Sequence, residues 1–228
     1  MLNLAVIPAR GGSKRIPKKN IKLLADKPLI VYTIEAALKS KIFTKVIVST
    51  DDPEIAEIAK QAGAELPFIR QANLADDHSP VSLVSLDALN KLDPENNIYQ
   101  NIAQLMPNCP LRNENDIKES YEYFLATKSQ SQISVTKYGW LNPWWAFKKD
   151  AENLEALFPE ALKERSQDLP ELVCPSGAIW WAKSDSLRQH KSFHSNSRTG
   201  FELPWHRAID IDDYDDWKMT EVLMELAK

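Results

Sequence analysis

Between residues 3 and 138, short apolar or β-branched runs alternate with stretches of helical periodicity, and this alternation leaves few folds open. Residues 3–9 and 45–50 read as strands. In the segment 28–40, Leu29, Ile30, Thr33, Ile34, Ala37 and Leu38 recur at helical spacing. Asp52 is expected to cap a helix that starts at Pro53 and stops before Gly63. A strand near 65–68, an irregular polar loop over 70–80 and a helix over 81–92 follow. A strand within 98–106, a turn marked by Pro107 and Pro110, a helix over 115–126 and a strand over 132–138 continue the series. Such a chain predicts a three-layer α/β fold, a mostly parallel sheet with helices on both faces. With 228 residues and 43% hydrophobic content, one domain over 1–228 is expected.

The pattern changes after Tyr138. Residues 139–207 hold six of the seven tryptophans, scattered prolines and little periodicity, apart from a strand at 178–182. We expect this region to contain an aromatic-rich arm that protrudes from the main sheet. Exposed aromatic surface on that scale points to a covered site or a subunit interface. The alternative for any one tryptophan is that it fills the core. A last strand at 208–212 and a helix over 215–227 are expected to close the fold.

Chemistry concentrates at two places. Directly after the first strand, Arg10 to Asn20 read RGGSKRIPKKN, five cations and two adjacent glycines. In open α/β sheets the carboxyl edge is where ligands bind. Glycines let backbone N–H groups approach an anion, and Lys and Arg neutralise it. The alternative is a merely solvated basic loop. Neither GxxxxGK[ST] nor GxGxxG occurs, so the loop is not a P-loop or a dinucleotide fingerprint. A polyphosphate such as a nucleoside triphosphate suits it.

Near the other end, AIDIDD places Asp210 and Asp212 one residue apart, on one face if this is a strand. Two carboxylates on one face favour a cation between them. Hard oxygen ligands favour Mg²⁺, held by carboxylates together with substrate phosphates. Asp213, Asp215 and Asp216 instead suit the first turn of the closing helix. A cationic loop and a carboxylate pair together are what nucleotidyl transfer requires.

The bulk numbers exclude other classes. Net charge is -4, so no global positive field favours nucleic acid. The opening MLNLAVIPAR lacks a charged n-region, and its apolar run is short for a signal peptide or membrane span. Cys109 and Cys174 define no disulfide framework. A cytoplasmic protein without a membrane partner is expected. His78 and His206 are candidates for a general base, without a motif to support either. His190 and His194 stand at helical spacing, yet Lys191 occupies the place where a zinc-binding HExxH needs glutamate.

At this point the chain resembles the CMP-sialic acid synthetases, or acylneuraminate cytidylyltransferases. IPARGGSKRIPKKNIK is similar to their nucleotide loop, VIVSTDDPEIAEIAKQAGAE to their second strand–helix unit, FIRQANLADD to the following loop, MPNCPLR to QPTSPLR, RSQDLP and PSGAIWW to RQDLP and NGAIY, and IDID to their metal aspartates. The resemblance runs from about residue 3 to the end, in the same order. It implies a nucleotide-diphospho-sugar transferase-like fold. It also implies transfer of CMP from CTP to the anomeric hydroxyl of a nine-carbon 2-keto sugar acid, with Mg²⁺ and release of pyrophosphate. By motif, Arg10, Lys14 and Lys19 would act on the triphosphate. Gly11, Gly12, Asn20, Arg70 and Ser82 would complete the nucleotide site. Met106, Arg165 and Gln167 would lie on the sugar side, and Asp210 and Asp212 would hold Mg²⁺. The resemblance further implies a homodimer whose arm reaches the partner's site.

The departures cluster toward the acceptor. Met106 stands where glutamine is usual, Cys109 where serine is, Ser176 where asparagine is common, and Cys174 where a related sialate enzyme carries arginine. The LFPE and RSQDLPE stretches resemble the pseudaminic acid branch more than the sialic one. Two alternatives stay open: a sugar-1-phosphate nucleotidylyltransferase, and a noncatalytic nucleotide- or glycan-binding protein.

Overall fold

The computed structural model describes residues 1–74 and 80–226. Its strands and helices are β1 (Asn3–Pro8), β2 (Leu23–Leu24), β3 (Lys27–Pro28), α1 (Leu29–Ser40), β4 (Lys45–Ser49), α2 (Pro53–Gln61), α3 (Val81–Leu92), β5 (Asn101–Gln104), α4 (Glu114–Thr127), β6 (Ser131–Lys137), β7 (Phe147–Asp150), β8 (Asn153–Ala156), β9 (Val173–Lys183), α5 (Ser184–His190), β10 (Arg198–Glu202) and α6 (Tyr214–Leu226). Six strands form the main sheet in the order β10-β6-β9-β5-β1-β4. β1 runs parallel to β4 and β5, and β10 runs parallel to β6. β9 alone in this sheet runs antiparallel to both its neighbours.

Local signals explain the first half. β1 is buried at all six positions, as a central strand covered on both faces must be. Asp52 caps α2 as expected, accepting from the backbone N–H of Glu54 at 2.8 Å and Ile55 at 3.2 Å. Asn113 and Asp116 form a reciprocal capping box at the start of α4. Ile30, Ile34, Ile55, Ile117 and Phe124 pack on one face of the sheet. Leu86, Leu89 and Leu187, from α3 and α5, pack on the other. The chain leaves β1 toward β4 on one side and returns to β5 on the other. The carboxyl end of β1 is therefore a topological switch point, where such sheets bind ligands. Among the described residues no helix is long and apolar enough to cross a membrane.

Two expectations need correction. Residues 65–68 form a single parallel bridge, Glu65 with Ile47, and not a strand, because Pro67 has no N–H to extend the ladder. Residues 208–212 are not a strand either. Their backbone groups are taken by other partners. The Ile211 N–H donates to the Asn108 carbonyl at 2.9 Å, Ser176 Oγ donates to the Ala208 carbonyl at 3.0 Å, and Lys19 Nζ donates to the Ile211 carbonyl at 2.6 Å.

The stretch 139–207 divides in two. β9, α5 and β10 belong to the main body, whereas β7 and β8 pair only with each other. Trp181 is fully buried, stacked on Phe43 at 5.4 Å and on Phe124 at 6.0 Å. Trp140 is the opposite case, 88% exposed.

Candidate active site

The cationic loop is pinned beside the carboxylate pair by apolar burial. Ile16, inside the loop, packs with Leu24, Leu29, Ile211 and Trp217. Ile16 and Ile211 are both fully buried. Each such side chain contributes about 1.5–3 kcal/mol, so the packing itself draws RGGSKR and IDID together. Between them lies a cleft of about 420 Å³, lined among others by Arg10, Lys14, Arg15, Lys19, Met106 and Asp212. Ser13, Asn20 and Asn108 also line it.

The charges divide within this cleft. Asp212 pairs with Arg15 at 2.8 Å and with Lys19 at 3.4 Å. Lys18 turns away and pairs with Glu54 at 2.5 Å. Asn20 is buried, and its Nδ2 donates to the Arg10 carbonyl at 2.9 Å, so it braces the loop. Gly11 donates its N–H to Asp51 Oδ1 at 3.1 Å, and a Cβ at Gly11 would stand 2.6 Å from Asp52 Oδ2. Close approach to the Asp52 cap thus explains the first glycine. Nothing lies within 4 Å of a Cβ at Gly12.

Asp210 borders the cleft through Asn108, whose Nδ2 donates to Asp210 Oδ1. The Asp210 side is open to solvent, yet protein atoms crowd the carboxyl. That desolvation, followed by repulsion from Asp212, raises its pKa to about 6, against the opposing pull of Lys19 and Asn108. Two crowded carboxylates whose mutual repulsion a cation would relieve fit a divalent ion with hard oxygen ligands. Among the described residues no group of three or more His, Cys, Asp or Glu could hold a metal. The donor set therefore suits an ion completed by phosphate oxygens, as Mg²⁺ usually is.

The wall behind Met106 is built from a bulge in β9. The register against β6 shifts between Ile133, opposite Trp180, and Ser134, opposite Ser176. The backbone groups freed at 177–179 find other partners. Met106 N–H donates to the Gly177 carbonyl at 3.3 Å, Arg112 Nη1 donates to the Ala178 carbonyl at 2.7 Å, and the Ile179 N–H donates to Ser134 Oγ at 3.0 Å. Arg112 is buried, with its Nη2 donating to Thr33 Oγ1 at 2.7 Å. Desolvation pushes its pKa down to about 10.

Of the expected site residues, Gly11, Gly12 and Asp210 adjoin residues of the cleft without lining it, and four others lie elsewhere. Arg70 is buried one layer behind, its Nε donating to Ser49 Oγ at 3.2 Å and its N–H to the Thr50 carbonyl at 2.8 Å. Desolvation lowers its pKa to about 10, Asp51 opposes the fall and Arg10 adds to it. Ser82 is buried in the first turn of α3. Arg165 pairs with Asp168 at 2.7 Å on the surface. Gln167 lines a separate pocket with Tyr138 and Asn142. Cys109 is fully buried, and burial pushes its thiol pKa up, so it is no nucleophile. His78 lies outside the described residues. His206 stands beside Trp205, and His194 packs edge-on against Trp180 at 4.9 Å.

Ser13, Arg15 and Asn108 are the polar cleft residues that sequence reasoning did not single out. Arg15 carried a signal, as a fifth cation in a short loop. Asn108 carried only its place in MPNCPLR.

A cationic loop at the switch point of a mostly parallel sheet, facing a carboxylate pair, defines a nucleotidyltransferase. Residues 4–157 match the family described as Cytidylyltransferase, and the chain belongs to it. It is 37% identical over 227 residues to a pseudaminic acid cytidylyltransferase of Campylobacter jejuni subsp. jejuni, covering 99% of this chain and 97% of that one. It is 38% identical over 231 residues to a CMP-N,N'-diacetyllegionaminic acid synthase of Legionella pneumophila, covering 98% and 96%. In fold it is similar to a CMP:2-keto-3-deoxy-manno-octonic acid synthetase solved with CTP, at a TM-score of 0.74 and 16% identity over the whole of both chains. A 4-diphosphocytidyl-2C-methyl-D-erythritol synthase from Anaerococcus prevotii gives a TM-score of 0.67 at 12% identity over 98% of each chain.

Proposed function

We propose that this cytidylyltransferase moves CMP from CTP to the anomeric hydroxyl of a nine-carbon 2-keto sugar acid and releases pyrophosphate. The observation that carries the proposal is the shared cleft, in which Arg10, Lys14, Arg15 and Lys19 face Asp212 with Asp210 alongside. The sugar-acid class follows from the two relatives named above, both of which act on such acids by name.

The residues divide the work by chemistry. Arg10 and Arg15 offer planar forks to phosphate oxygens, and Lys14 and Lys19 supply mobile point charges. On binding CTP, Arg15 and Lys19 exchange part of their pairing with Asp212 for the phosphates. Asp210 and Asp212 would then be the residues that hold Mg²⁺. When bound, the ion would neutralise charge developing on the phosphate oxygens. Asn20 keeps the Arg10 backbone in place through its amide nitrogen. Met106 presents an apolar thioether to the acceptor side, and the Gly177 backbone supports it. Positioning and charge stabilisation supply most of the rate in phosphoryl chemistry, so no dedicated base is required. Arg70, hydrogen-bonded to Ser49 and Thr50, braces the end of β4 beside the loop.

We also propose that the protein is a homodimer, with Arg165 and Gln167 serving the partner's cleft. In support, Trp140, Leu141 and Trp205 are exposed and border an apolar groove of about 660 Å³ with Tyr138 and Leu203. A cytoplasmic location is part of this proposal, supported by the use of CTP as substrate.

Incubation with CTP, Mg²⁺ and a panel of nonulosonic acids tests the proposal. Pyrophosphate release and a CMP-sugar mass are expected, with CTP preferred over UTP. No turnover with any acid, together with no CTP binding, would overturn it.

A further inference from the structure

We infer that Asn108 is a positioning residue that orients the Asp210 carboxylate toward the substrate phosphates; this rests on the reading of the cleft given above. Asp210 lies in a segment with no β-ladder to aim its side chains. Its orientation must come from side-chain contacts. Asn108 supplies one directly: its Nδ2 donates to Asp210 Oδ1 and lies 3.3 Å from the Ile211 carbonyl. Its backbone carbonyl accepts the Ile211 N–H at 2.9 Å. Both neighbours of the amide nitrogen are acceptors, so the flipped amide would set oxygen against oxygen. The orientation of this amide is therefore decided by its surroundings.

The other half of the amide is unsatisfied. Asn108 is 6% exposed, and its enclosed Oδ1 accepts no hydrogen bond among the described residues. Burying an unpaired polar atom is costly, and an apolar residue of the same size avoids that cost. The amide is explained by what its nitrogen does for Asp210. On the opposite side, Gly177 leaves room. A Cβ there would stand 3.5 Å from Asp210 Oδ2 and 2.9 Å from Met106 Cγ. One carboxylate oxygen is thus held by Asn108, and the other lies beside the bare backbone of Gly177. Without Asn108, the carboxylate loses the donor that holds it against the attraction of Lys19.

Asn108→Leu in the full chain tests this, because leucine keeps the size and removes the donor. The expected thermal midpoint is unchanged or higher, since the orphaned oxygen is gone. Loss of a group that orients a metal ligand typically costs about 10–100-fold. We expect a kcat loss of that order, with KM for CTP within about threefold. The affinity of the CTP-saturated protein for Mn²⁺, read by electron paramagnetic resonance without any sugar acid, should fall by a similar factor. Asn108→Thr, which restores a hydroxyl donor, should recover part of both. Wild-type kcat and Mn²⁺ affinity in Asn108→Leu would overturn the inference. So would losses that track a lowered melting midpoint and are not recovered by threonine. If the wild-type protein turns over no acid, the substrate reading fails, and the Mn²⁺ measurement still judges Asn108 by itself.

Discussion

At the scale of single residues, two aspartates show how environment decides the role of a carboxylate. Asp93 is fully buried and accepts backbone N–H bonds from Asn97 at 2.9 Å, Tyr99 at 3.1 Å and Ile98 at 3.2 Å. Burial pushes its pKa up, but these donors and Arg188 outweigh burial, and the net shift is downward. A carboxyl whose pKa is lower folded than unfolded stabilises the fold above its unfolded pKa, and the contribution is lost as pH falls through the folded value. Asp93→Ala should cost about 2–4 kcal/mol at neutral pH. Urea unfolding of wild type and variant should show this gap narrowing as pH drops into the acid carboxylate range. Asp212 sits instead among Arg15 and Lys19 at the open cleft. Asp212→Ala should lower kcat by about 10²–10⁴-fold, roughly 3–5 kcal/mol of transition-state stabilisation. A variant with wild-type kcat in a steady-state pyrophosphate assay would remove Asp212 from the mechanism.

At the scale of elements, the bulge in β9 matters most. Bulges re-aim side chains next to active sites, and this one brings Gly177 against Met106 and Asp210. Arg112, at the end of MPNCPLR, fills the bulge by donating to the Ala178 carbonyl. Arg112→Met should leave that carbonyl and Thr33 without their donor, costing about 2–4 kcal/mol in chemical denaturation. Because the Met106 loop rests on the same guanidinium, the KM for the sugar acid should rise more than that for CTP. Equal changes in both would show that Arg112 supports the fold without shaping the acceptor side. The first strand, its basic loop and the cap of α2 were legible because their signals are local: an apolar run, glycines beside cations, Asp52 before Pro53. The supposed strand at 208–212 misled because alternation shows what a segment could pair with, and here no neighbouring strand was available. The antiparallel direction of β9 and the edge strand β10 depend on partners far away in sequence, so periodicity carried no trace of them.

At the scale of the whole molecule, the distribution of apolar surface is uneven. The core is closed, but Trp140, Leu141 and Trp205 stay exposed beside one groove. Trp140→Asp should shift the protein to a monomer in sedimentation velocity. It should weaken sugar-acid turnover and leave CTP binding intact, because Arg165 and Gln167 lie outside the cleft of their own chain. A wild-type monomer at micromolar concentration, fully active, would sink the dimer proposal.

Taken by itself, the order of residues determined the α/β class, the basic loop at the end of the first strand, and the two aspartates that answer it. These are properties of neighbours, set by periodicity and by charge within a few positions. Only tertiary structure decided that Arg70 lies behind the cleft, that Asn108 grips Asp210, and that Ile16 meets Ile211 to bring the two charged segments together. Those contacts join residues up to nearly two hundred positions apart. Packing of the completed core selects them, and no local pattern encodes them.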